Sequence, residues 1–291
     1  DGIYVNYGWT GNSVINDGGR GIPKNVYSDN SHTALYDLGS TVNMPMLSDP
    51  WRDKSGNRVM NPATGTWYTH EEYFSQVLLA APNNPSDGIH TGSLSLDVNS
   101  STAIFWDANT GQKLTGNDAV NAVLNPDHDY LWFNPTTNVL RINGQIRING
   151  SLEFTGKGND TTINYSGRGA ILATGDVKID TNLLSCNNGN PASTALSFPE
   201  NNCIGIMTKS DMTVGSNAQL DIMGAFYAQG TISTSKQTNV LGTFVANYFN
   251  MGTNVPRIYQ VPVLGGLIPL GMVGDYPIGA VSRVSWRELG A

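Results

Sequence analysis

Charge is scarce in this chain: of 291 residues only 16 are Lys or Arg and 23 are Asp or Glu, 13% together. The few basic residues are scattered, and the net charge is -7. That balance argues against general nucleic-acid binding, which draws its sequence-independent affinity from clustered Lys and Arg; a local basic patch stays open. Long apolar runs are missing too. The longest, Val261 to Val273, carries Pro262 and Pro269 and falls short of the roughly 20 residues that cross a bilayer. Hydrophobic content is low at 39%, yet 6 Trp, 12 Tyr and 8 Phe with a modest net charge exclude a disordered chain. What is present instead is Gly, 33 residues of it, with abundant Asn, Ser and Thr. This composition describes a folded, neutral-surfaced, turn-rich protein, either one large domain or a two-part molecule. No secretory leader pattern or initiating Met is seen, and the chain starts inside a structured-looking run, Ile3, Tyr4, Val5, Tyr7 and Trp9. The expectation is a processed or truncated product of a longer precursor.

Cysteine is nearly absent. Cys186 and Cys203 bracket a polar, Pro-containing segment without periodicity. A disulfide closing that loop suits an exported protein and would contribute about 3 kcal/mol; two buried thiols are the alternative. Without a local His, two cysteines make no standard zinc site.

The second half repeats itself. Gly169-Ala-Ile-Leu-Ala-Thr-Gly-Asp-Val177 aligns with Gly224-Ala-Phe-Tyr-Ala-Gln-Gly-Thr-Ile232, and Met223-Gly-Ala-Phe-Tyr-Ala228 aligns with Leu241-Gly-Thr-Phe-Val-Ala246. A degenerate copy, Gly205 to Val214, puts Asp211 over Asp176 and Met212 over Val177. Upstream, Gly144, Gly150 and Gly156 recur at a fixed interval with alternating apolar residues between them. Short alternating strands, Gly corners and a period of about 18 to 20 residues predict a right-handed parallel β-helix, a solenoid spanning 139–254. A Greek-key sandwich is the competing architecture. The two cysteines fall in an insertion between copies.

Residues 1–138 differ. They hold most of the tryptophans, all the histidines (His32, His70, His90, His128), and turn signals such as Asn61-Pro and Asn134-Pro. Thr69-His-Glu-Glu72 reads as a capping box, and Tyr73, Phe74, Val77 and Leu78 follow at helical spacing, predicting a short helix near 70–81. Ser93 to Val98 and Thr102 to Trp106 alternate as strands. The region reads as a loop-rich cap on the first coil, and 255–291 as an extended tail that runs back along the solenoid or caps its last coil.

The second-half motifs resemble the C-terminal extracellular region of PilX-like type IV pilus-assembly proteins. The resemblance is carried by Tyr165 to Ile179, Met223 to Gly230, Leu241 to Gly252, Val255 to Pro262 and Ser285-Trp-Arg-Glu-Leu289, with weaker support in Tyr36-Asp-Leu-Gly39. It implies an extracellular, β-rich domain at the bacterial cell surface that works with other pilins. It brings no catalytic residues, and no prepilin helix or cleavage site is present in the sequence given.

A pectin-hydrolase-like site needs clustered Asp pairs, which are missing from the solenoid. A lyase would use Arg168 or Lys178 as base, with Asp176, Asp180 and Asp211 on calcium; solvated corner residues are the plainer reading. Asp107, Asn109 and Asp118 occupy the first, third and twelfth positions of a calcium loop but lack its Gly and bidentate Glu, so a hairpin turn competes. Asp127-His-Asp129 is a possible metal triplet. Trp9, Trp51, Trp67, Tyr68, Trp106 and Trp132 are candidates for stacking on sugars or bases, against a role in filling small cores. Tyr227, Tyr248 and Phe249 form a possible solvent-side aromatic stripe. The expectation is a non-enzymatic extracellular structural or adhesive protein needing no cofactor, with calcium possible. Its partners would be other pilins or copies of itself. The alternatives are a pilus-tip receptor for DNA or polysaccharide, and a β-helix polysaccharide lyase.

Overall fold

Alternating apolar residues build most of this molecule into strands. The computed structural model describes residues 45–53, 55–79, 88–186, 197–216, 218–250 and 256–273. Its strands are β1 (Ile89–Thr91), β2 (Leu94–Asp97), β3 (Ile104–Asp107), β4 (Lys113–Thr115), β5 (Tyr130–Asn134), β6 (Val139–Asn149), β7 (Leu152–Ala173), β8 (Val177–Ser185), β9 (Cys203–Thr208), β10 (Met212–Val214), β11 (Asp221–Thr234), β12 (Asn239–Asn250) and β13 (Arg257–Tyr259). Two short helices, α1 (His70–Tyr73) and α2 (Asn117–Val120), accompany them.

All thirteen strands join one sheet. Pairing is antiparallel only from β4 through β3 and β5 to β6; every pair among β6 to β13 is parallel, as are β1 with β6 and β2 with β7. The chain therefore returns repeatedly in one direction and lays each stretch on the one before.

Register turns the sequence alternation into interior ladders. Leu94, Leu152, Val177, Met212 and Ile232 lie on successive strands in line, and so do Leu96, Phe154, Ile179, Val214 and Thr234. A second pair of lines holds Ile146, Ile171, Ile206, Phe226 and Phe244, and Ile163, Leu183, Ile222 and Val240. Nearly all are fully buried in one continuous core. Each large aliphatic side chain so buried contributes about 1.5 to 3 kcal/mol of transfer free energy. The residues between them, Ser95, Glu153, Lys178, Thr213 and Ser233, share the opposite face, because successive side chains alternate across a strand.

One outer face is apolar as well. Ala170, Leu172, Met207, Ala225 and Tyr227 point away from the main core and are covered by Leu47, Phe74, Leu79 and Met272, with Ile268 packed alongside. The covering segments are α1 with its wider continuation Phe74–Leu78, and the tail after β13. The tail turns through Pro262–Gly266 and runs back toward the earlier strands: Gln145 Nε2 donates to Leu270 O at 3.1 Å, and Arg168 donates to Leu267 O. Residues 274–291 of the expected tail lie outside the described residues.

The helix begins where its capping box predicts. Thr69 Oγ1 accepts from Glu72 N at 3.1 Å and Glu72 Oε2 accepts from Thr69 N at 2.9 Å. It ends at Leu78, and Leu79 is extended; positions 80 and 81 of the expected range lie outside the described residues. The boundary expected at 138/139 falls in the turn of the β5–β6 hairpin, where Asn138 takes φ 53°, so the sheet runs continuously through it. At this end Trp106, Leu131 and Phe133 pack into the main core, while Phe105, Trp132, Val139 and Ala119 of α2 form a smaller one.

Candidate functional site

The possible calcium loop is a turn stabilised by its own side chains. Asp107 closes β3, and its Oδ1 accepts from Asn109 N at 2.8 Å and Thr110 N at 3.1 Å. Its Oδ2 lies 2.7 Å from His128 Nδ1. Asn109 Oδ1 accepts from Asp129 N at 2.8 Å. Asp118 stands apart in the first turn of α2. Asp107, Asn109 and Asp118 thus do not converge, and the hairpin-turn reading fits their bonding. The Asp127-His-Asp129 triplet is also divided, with His128 turned to Asp107 and Asp129 held against Gly144. Among the described residues, no three His, Cys, Asp or Glu side chains stand where a metal ion would need them. The Asp107–His128 pair was not foreseen, since nothing in the spacing marks two residues that meet across a hairpin.

The corner acids are occupied by the backbone. Asp176 Oδ1 accepts from Ser210 Oγ and from Asp211 N, and Asp211 Oδ1 accepts from Thr231 N at 2.7 Å. Lys178 Nζ sits 2.7 Å from Asp180 Oδ2, which raises the lysine pKa through that hydrogen bond. For Asp180, burial pushes upward, but Lys178 and Ser216 outweigh it and the carboxyl ends below its ordinary value. Arg168 is spent on carbonyls: it donates to Pro199 O and Leu267 O, and to Glu200 O at 2.9 Å. Arg168 also lies five strand positions before Ala173, about 16 Å along β7 and away from the Asp176 corner. A lyase constellation of Arg168, Lys178, Asp176 and Asp211 is therefore dispersed rather than convergent.

The aromatic candidates are mostly core. Trp51 is 4% exposed and stacks on Tyr73 with ring centroids 4.4 Å apart, and Tyr68 meets Tyr73 edge-on. Trp106 is buried beside His90. Trp132 is buried, donates from Nε1 to Ala119 O at 2.7 Å and carries the Arg141 guanidinium over its ring. Trp51, Trp106 and Trp132 are thus buried, and Tyr68 is half-buried. Trp67 differs: it is 42% exposed and pairs across an antiparallel bridge with the exposed Met60. Trp9 lies outside the described residues. The aromatic stripe is broken, because Tyr227 is buried, donating to Pro45 O at 2.9 Å, while Tyr248 and Phe249 are exposed. Between Tyr227, Val245, Leu264, Ile268 and Met272 lies an open apolar groove of about 220 Å³.

Cys186 and Cys203 are both buried, and the bond expected between them is not formed in this structure. Burial pushes the Cys203 thiol up to about 12, with Arg168 opposing. Asn202, which the sequence did not single out, organises this place: its Nδ2 donates to Cys186 O at 2.5 Å and to Ser197 Oγ at 2.7 Å, and its Oδ1 accepts from Gly167 N at 2.8 Å.

Comparison with known protein families, characterised proteins and solved structures finds no match. No helix among the described residues is long and apolar enough to cross a membrane.

Proposed function

We propose that this chain is a non-enzymatic structural ectodomain of a bacterial surface filament, of the PilX-like pilus-associated kind its second-half motifs resemble, and that its parallel stack is a right-handed β-helix. The observation that carries the reading is the register. Apolar ladders run in line across successive strands, one through β6, β7, β9, β11 and β12 and others through β7, β8, β10 and β11, and their side chains share one buried core, which stiffens the stack along its axis. A stiff body with a sparsely charged sequence suits an extracellular spacer or adhesive surface better than a soluble catalyst. The polar side chains most able to do chemistry, Asp107, Asp176, Asp211 and Arg168, are bonded to backbone groups that hold turns and covering segments in place. The stack also has unlike ends. Among the described residues one ends in the antiparallel strands β5, β3 and β4, and the other in β13, where Ile258 and Tyr259 are exposed. In this reading the β13 end meets another filament subunit or a second copy. Antibodies raised against the chain should label surface filaments of intact cells in immunogold electron microscopy. Recovery of the protein only in the cytoplasmic fraction overturns the proposal.

A second reading, a receptor for DNA or polysaccharide, is favoured by one feature, the exposed Trp67–Met60 pair. It requires retention on a DNA or glycan matrix that is lost in Trp67→Ala; equal retention of the two proteins removes it.

A further inference from the structure

The parallel ladder along β7 passes from β8 to β9 at the two cysteines. Tyr165 pairs with Ser185 at the end of β8, and Arg168 pairs with Cys203 at the start of β9. β8 ends just before Cys186, whose N–H still donates to Tyr165 O at 2.7 Å, and β9 begins at Cys203. Cys186 is thus level with Ser166 and Cys203 with Arg168. The strand turns between these two levels at Gly167, which takes φ +96°, so the two cysteines flank one bend of the stack, and both bear on the buried Tyr165, whose pKa burial raises and the two cysteines raise further. A disulfide requires the two side chains to converge across that bend. Both cysteines are buried, and Asn202 bonds Cys186 O and Gly167 N at once.

We infer that Cys186 and Cys203 are the partners of an intrachain disulfide that closes the segment between them at its base. The oxidant is a disulfide of an oxidising compartment, either a small molecule or a protein. One cysteine thiolate attacks it and releases a first external thiol; the second cysteine thiolate then attacks the mixed disulfide and releases the other. Two protons leave the cysteines, two electrons pass to the external disulfide, and one S–S bond forms. The burial that pushes the Cys203 thiol up to about 12 leaves almost no thiolate in the folded chain. Exchange therefore belongs to folding, before the segment docks on Arg168, and the finished bond resists later reduction. The inference stands apart from the filament reading, since a cell-surface location and this bond can each fail alone.

The test is to reduce and unfold the full chain, refold it with oxidised and reduced glutathione, alkylate it in denaturant, and map its peptides without reduction. The expected result is loss of both titratable thiols in the monomer, a mass lower by two hydrogen atoms, and one linked pair of peptides containing Cys186 and Cys203. Oxidant added after refolding should act far more slowly than oxidant present during it. The oxidised chain should also have a higher urea midpoint than the reduced chain and than a C186S/C203S variant. Two titratable thiols after oxidative refolding, separate glutathione adducts on each cysteine, or a bond only between chains would each overturn the inference. The peptide map decides even if the double variant does not fold.

Discussion

At the residue scale, the most informative side chain is His70. It is 2% exposed, its ring meets Trp51 edge-on at 5.1 Å, and burial lowers its pKa from 6.5 to about 4 against the opposing pull of Asp49. As pH falls, the unfolded chain takes up this proton first. Between about 6.5 and 4 the unfolded state therefore binds more protons, so stability is full above that window and is lost as pH drops through it. At 1.36 kcal/mol per pKa unit, the loss approaches about 3 kcal/mol. Urea midpoints of wild type and His70→Gln, measured from pH 7.5 to 4, should converge as pH falls, because carboxylates common to both proteins cancel. A constant difference would show that His70 is not held neutral. Glycine supplies a second contrast. Gly167 takes φ +96° against Ile142 O of the neighbouring strand, whereas Gly56 takes φ +81° with open space around it. Gly56→Ala should cost about 1 kcal/mol, the backbone strain alone, and Gly167→Ala about 3 kcal/mol or more, since a backbone oxygen must also move. Equal thermal shifts would mean that the close approach costs nothing.

At the scale of elements, the division between what was readable and what was not has a physical origin. Placing Met223-Gly-Ala-Phe-Tyr-Ala228 over Leu241-Gly-Thr-Phe-Val-Ala246 reproduces the register of β11 on β12, and Met212 over Val177 reproduces β10 on β8. Positions stacked in a parallel ladder meet the same environment, so the repeat in space leaves a repeat in sequence. The capping box of α1 was readable for a different reason, being local to four residues. The outer layer left no such trace. Gln145 meets Leu270, Tyr227 meets Pro45, and Glu71 pairs with Arg147 and Lys209, all between residues far apart in the chain and outside any period. For the same reason Trp51, Trp106 and Trp132 could be read from sequence either as ligand platforms or as core. The covering role of the tail can be measured. Met272 is 3% exposed, packs with Tyr227 and Leu172, and sits against Gly205. Met272→Ala should lower unfolding free energy by about 2 to 4 kcal/mol in urea titration, as for other buried Met truncations. A shift below about 0.5 kcal/mol would mark the tail as an ornament rather than a layer.

At the scale of the whole molecule, the unlike ends decide how copies can meet. A parallel stack offers pairing groups at its last strand, and natural sheets cover or charge such edges because they otherwise recruit another chain. Here the first end carries the antiparallel strands β5, β3 and β4, which place Trp106, Leu131 and Phe133 in the core, with β4 as the outermost strand among the described residues. At the other end, among the described residues, β13 pairs with β12 alone, and Ile258 and Tyr259 are exposed, as are Tyr248 and Phe249 farther along β12. A head-to-tail filament made of this chain alone would need both ends open. Where the antiparallel strands seal the first end, two β13 ends can meet only each other, giving a closed two-fold pair, and longer assembly requires a different subunit. Sedimentation velocity across a range of concentrations should accordingly show a reversible passage from monomer to dimer that stops there. Ile258→Lys should abolish it, by placing an ammonium group where the two edges meet. Growth beyond the dimer would show that the hairpins do not seal the first end. A dimer indifferent to Ile258→Lys would place the contact elsewhere, and the apolar end of the stack would then have to be explained by a partner of another sequence.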